Sequence, residues 1–134
     1  MKLNNTHSLK AGFSLVEMLV VIAVIGIIAA IAVPNIGRIN DSAKEATARR
    51  NAQNFASVAA SASAAGLDFK GNSVNAKMNN IIAGAQVTDE GPFKDTWFKI
   101  PGVSTTDRNY AAQFLELDAN TGQLIYDGSN TFNP

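Results

Sequence analysis

The sequence predicts an α+β protein: a long N-terminal α-helix with its hydrophobic half protruding, and a small antiparallel β-sheet head packed on its C-terminal half. Three observations carry that expectation. From Phe13 to Ile36 the only ionisable side chain is Glu17, and aliphatic residues fill most positions, enough to cross about 30 Å of hydrocarbon as a helix. Beyond Pro34, the residues Ile36, Ile39, Ala43, Ala46, Phe55, Val58, Ala59 and Ala62 recur largely at three- and four-residue steps, the spacing of one helical face. Nearer the other end, "NYAAQFLELDANTGQLIYDG" sets two β-prone runs on either side of "DANTG", whose Asp, Asn and Gly suit a hairpin connection.

The first twelve residues, "MKLNNTHSLKAG", carry Lys2 and Lys10 and no acid, which favours a cytoplasmic amino end. Arg38 after the run argues the other way but is balanced by Asp41 and Glu45. In an ordinary secretory signal the small-residue cleavage site follows the apolar core. Here the small pair Ala11–Gly12 precedes it, and the alternative site around Ala30 to Ala32 would discard a run longer than a signal core. The expected organisation is a leader over 1–12, a hydrophobic helix over 13–36, its amphipathic continuation over 37–66 and a small globular head over 67–134.

Gly12 followed by "FSLVEMLVVIAVIGIIAAIAVP" resembles the class III signal of type IV prepilins and type II secretion pseudopilins. The likeness runs from Lys10 to Pro34 and rests on a glycine, an aromatic after it, a glutamate fifth after the cut, and a proline closing the apolar stretch. It implies a pilin-like fold and cleavage by a membrane prepilin peptidase between Gly12 and Phe13, with N-methylation of the new Phe13 amine. It further implies a single-pass inner-membrane subunit, amino end cytoplasmic, that leaves the lipid with the help of inner-membrane assembly machinery. The product would be a homopolymeric filament, either an extracellular pilus (fimbrium) or a periplasmic pseudopilus.

Glu17 is the residue that needs explaining. Four positions past the new terminus it lies only ~6 Å along a helix axis, so snorkelling to the interface would accommodate it. Leucine would insert better, however. Cleavage would leave Phe13 with a cationic amine, and Glu17 supplies an opposite charge one turn away, for its own terminus or a neighbour's. In an apolar bundle such a pair rewards one axial register, because an unpaired carboxylate there is expensive. The resemblance gives Glu17 and Phe13 that assembly role. Gly26 weakens the helix by about 1 kcal/mol relative to alanine, and Pro34 removes an amide donor, so the pair would kink or locally open it. Close packing in lipid for Gly26 and a plain helix end for Pro34 are the alternative readings. By resemblance, the two bracket a segment that unwinds in the filament.

In the continuation, Asp41 with Lys44 and Glu45 with Arg49 are spaced to pair, and Gly66 suits a left-handed helix cap. In the head, "SVNAKMNNIIAGAQV" reads as a short helix burying Val74, Met78, Ile81, Ile82 and Ala85, and "DTWFKIPG" as a strand. A sheet of about three antiparallel strands is expected, with Phe93, Trp97, Phe98 and Tyr110 as core rather than an adhesive patch. The loop "DANTG" carries Asp118 and Asn120 at alternate positions, but Gly122 and Ser129 stand where a calcium loop needs oxygen ligands. A turn is the better reading, which favours a pilin over the major pseudopilins, where the resemblance implies calcium. Pilins often close their C-terminal loop with a disulfide; this chain has no cysteine, so hydrogen bonds and packing must hold it.

No enzyme is expected, and no metal or cofactor. The one histidine, His7, lies outside the head, and Asp89–Glu90 reads as solvated surface. Lys and Arg together equal Asp and Glu at 11 each, so nothing favours nucleic-acid binding. The sequence thus points to a structural pilus subunit. A secretion pseudopilin is the first alternative, and a minor pilin for adhesion or DNA uptake the second. "NDS" at Asn40 matches a glycosylation acceptor, a motif short enough to recur by chance.

Overall fold

The computed structural model describes residues 12–134. The leader up to Ala11, with Lys2, His7 and Lys10, lies outside the described residues. The described residues divide into two compact units, with the boundary between Ile39 and Asn40.

In the first unit, Gly12, Phe13 and Ser14 lead into helix α1 (Leu15–Ala64), which runs without interruption through Pro34. The large apolar side chains from Phe13 to Ile39 are exposed on every side of the helix, and Phe13 is 83% exposed. The whole of its most apolar window is unburied.

The second unit begins inside α1. Ala48, Ala52, Phe55, Ala59 and Ala62 are buried at alternating four- and three-residue steps, so a single stripe of the helix faces the head. The buried seam therefore starts later than its spacing suggested: in the second unit Ala43 and Ala46 are exposed and burial begins at Ala48, while Ile36 and Ile39 fall in the first unit and are exposed there. Small alanines let the head approach closely, and Phe55 fills the gap between them. The helix ends where Gly66 takes φ 88°, a conformation glycine adopts without strain. Gly66 N–H donates to Ser63 O at 3.0 Å and Leu67 N–H to Ala62 O at 2.8 Å, which satisfies two carbonyls of the last turn. Asp41–Lys44 at 3.3 Å and Glu45–Arg49 at 2.8 Å pair as their spacing predicts.

Helix α2 (Val74–Ala83) is capped by Ser73, whose side chain accepts from Ala76 N–H, and it buries Met78 and Ile81. Lys77 on the same helix is only 5% exposed; its Nζ meets Asp68 Oδ1 at 3.4 Å and ties down the loop after α1. Strands β1 (Ala85–Gln86) and β2 (Trp97–Phe98) pair antiparallel. Helix α3 (Thr105–Ala112) follows, then β3 (Leu115–Leu117) and β4 (Leu124–Tyr126), a second antiparallel pair.

Two expectations are corrected. The strands form two separate two-stranded sheets rather than one sheet of three, because α3 stands between the pairs in the chain. The run "NYAA", read as β-prone, is helical. Ser104 Oγ accepts from Asp107 N–H at 3.1 Å, a helix-starting cap, and Ala111 and Phe114 then bury the same side three residues apart. The aromatics also divide. Phe98 and Tyr110 pack on the core, but Trp97, on the opposite side of the short strand β2 from Phe98, is 62% exposed, and Phe93, in the turn before that strand, is 49% exposed.

The hairpin does form across "DANTG". Asp118 Oδ1 accepts from Asn120 N–H, Thr121 N–H and the Thr121 hydroxyl, while Gly122 N–H donates to Asp118 O at 2.8 Å. These donors, the Thr121 amide foremost, hold the Asp118 carboxyl below its ordinary range, and the Ser129 hydroxyl and amide do the same for Asp127. A depressed carboxyl contributes its stability in full above the unfolded value, near pH 4, and loses it as pH falls through the lower native value. Replacing Asp118 with Asn is therefore expected to flatten the loss of stability below about pH 4, read from denaturation midpoints across that range.

Without a disulfide, the C-terminal segment is fastened by side chains. Arg49 donates to Glu45 Oε1, to Gly128 O at 2.9 Å and, at 3.4 Å, to both Tyr126 Oη and Asn130 O. Its guanidinium lies 4.4 Å above the Phe114 ring. The Tyr126 and Glu45 partners push its pKa further up, so it stays cationic. Gln113 pairs its side-chain amide with both backbone groups of Asn133, at 2.9 and 2.8 Å. Phe132 packs against Tyr110 and Phe114 at centroid distances of 5.2 and 6.3 Å.

Candidate functional site

The residues singled out in the sequence gather at the start of α1. Ser14 Oγ accepts from Val16 N–H at 3.3 Å, and Glu17 Oε2 accepts from Ser14 N–H at 2.8 Å. Met18 N–H donates to Ser14 O at 3.2 Å and closes the first turn. This is a variant of the capping box: glutamate satisfies the Ser14 amide and serine the Val16 amide, two donors the helix leaves open. The sequence reading missed it. The signal was "SLVE", a serine followed three positions later by glutamate at the head of an apolar run. In hydrocarbon, where no water can take those amides, the box is worth more than at a wet surface.

Glu17 thus combines two properties. Oε2 is committed to the helix's own first turn, while Oε1 has no hydrogen-bond partner among the described residues. The carboxylate is held in place by one oxygen and can receive a cation on the other. Phe13, whose amine would be that cation after cleavage, stands next to Ser14 and is exposed. Negative charge also suits a helix N-terminus.

Along the run, Gly26 and Gly37 have open space where a side chain would stand, with nothing within 4 Å. Pro34 lies inside the helix, and the next residue, Asn35, donates its side-chain amide to Ile31 O at 3.1 Å. Elsewhere, Asn40, Ala43, Lys44, Thr47, Asp107 and Tyr110 line an open groove of about 360 Å³. No cluster of three or more metal-ligating side chains occurs among the described residues.

Residues 7–33 match the family model of the prokaryotic N-terminal methylation motif. No curated protein and no solved structure matches the chain. The matched segment contains Gly12, Phe13, the capping box and most of the apolar run, and stops just before Pro34. Residues 7–33 of the chain are thus similar to the N-terminal segment that carries the methylation motif, and this likeness covers about a fifth of the chain.

Proposed function

We propose that this type IV pilin-like protein is the structural subunit of a pilus or pilus-like filament, cut by prepilin peptidase between Gly12 and Phe13 and methylated on Phe13. One observation carries the reading. The methylation motif itself contains most of a helical run whose apolar side chains are exposed on all faces. A helix apolar all round needs lipid or other apolar helices around it. The subunit is first held in the inner membrane, amino end inside, and then polymerises with copies of itself through that helix. Glu17 sets the stagger by meeting a Phe13 amine, and Gly26 and Pro34 mark where α1 yields on packing. Gly122 and Ser129, standing where a calcium loop needs oxygen ligands, favour a pilus over a secretion pseudopilus.

Mass spectrometry of the mature amino terminus, from cells that contain prepilin peptidase, tests the reading. N-methyl-phenylalanine at Phe13 is the expected result, and the Gly12→Val variant is expected to keep its twelve-residue leader. An intact Met1, or a cut near Ala32, would overturn the assignment.

A further inference from the structure

Pro34 has no amide proton, so the carbonyl of Ala30 loses its helical donor, and the ring presses on that same carbonyl. The strain extends to the next bond, between the Asn35 amide and the Ile31 carbonyl, because relieving the clash draws the two turns apart. Such a site ordinarily kinks or opens. Helix α1 nonetheless runs unbroken from Leu15 to Ala64, and the one side-chain bond across this gap is Asn35 Nδ2 to Ile31 O at 3.1 Å. Asparagine is a poor helix former, and a primary amide is poorly placed in an otherwise aliphatic run unless it meets a polar partner. The Ile31 carbonyl is that partner.

We propose that the Asn35 carboxamide is a latch: by gripping the Ile31 carbonyl it holds α1 closed across Pro34 and sets how readily the helix opens there. The second donor on Ile31 O keeps the two turns together when the backbone bond lengthens, so opening must break two bonds instead of one. The latch belongs to the helix of the single chain and stands whether or not the protein polymerises.

The test is backbone amide exchange, followed by NMR on the full chain in detergent micelles. Asn35→Leu is expected to speed exchange at its own backbone amide and at those of Ile36 and Arg38 by about fivefold, the factor an ordinary net hydrogen bond supplies. In a Pro34→Ala background there is no gap to latch, and Asn35→Leu is expected to change exchange by less than about twofold. Amides around Phe55 report whether each variant stays folded. Unchanged exchange in Asn35→Leu would overturn the proposal, as would equal acceleration with and without Pro34.

Discussion

Replacing Glu17 with leucine is expected to leave insertion and leader cleavage intact while reducing filament yield about tenfold or more, since each tenfold needs only about 1.4 kcal/mol of lost pairing. Glu17 has two tasks, however, and leucine abolishes both. The capping bond to Ser14 N–H goes together with the charge. Glu17→Gln separates them, because the glutamine carbonyl still accepts from Ser14 while carrying no charge. If charge pairing with a Phe13 amine governs assembly, filaments of the glutamine variant are as scarce as those of the leucine variant. Normal filaments with glutamine would show that Glu17 serves its own helix cap, and the register argument would fall. Filament counts by electron microscopy, beside mass spectra of the membrane pool, distinguish failed assembly from failed processing.

The second large effect is expected in the head. Phe55 is fully buried, in one cluster with Met78, Ile81, Phe114, Leu115 and Leu124. Replacing it with alanine leaves a cavity between a helix stripe already made of small residues and the elements around it. The expected loss is about 3–5 kcal/mol. Against a total of about 5–15 kcal/mol for an ordinary domain, that leaves the head marginal or unfolded. Urea denaturation followed by the near-ultraviolet signal of the head measures it. A loss below about 1 kcal/mol would mean that Phe55 does not anchor the core. Leader cleavage, which involves the other unit of the chain, is expected to continue in this variant.

Much of this architecture was legible because local chemistry and tertiary demand agree. Gly66 caps α1 as its place after an alanine-rich run predicts, and "DANTG" turns the chain because Asp118 and Gly122 satisfy the turn by themselves. Helix α3 escaped because Tyr110 and Phe114 have strand propensity, and the Ser104–Asp107 cap that overrides it is a weaker signal than a run of aromatics. The exposure of Trp97 was hidden for a different reason: periodicity says which side chains share a face, and not whether anything covers that face. At the proposed assembly site, Gly12, Phe13 and Glu17 stand out by type and spacing, and the capping role of Ser14 was visible in "SLVE" but overshadowed by the charge beside it. Contacts between residues distant in the chain, such as Arg49 with Gly128, leave no mark in the sequence at either end.

That arginine has a consequence for where such a head can mature. A terminal loop closed by a cystine depends on oxidising enzymes and comes undone in reducing surroundings. Here the fastening is one guanidinium shared among carbonyls, a phenol and an aromatic face, with no sulfur bridge in the chain. The head can therefore complete its fold without a thiol oxidase, and its fastening does not respond to the redox state of its surroundings.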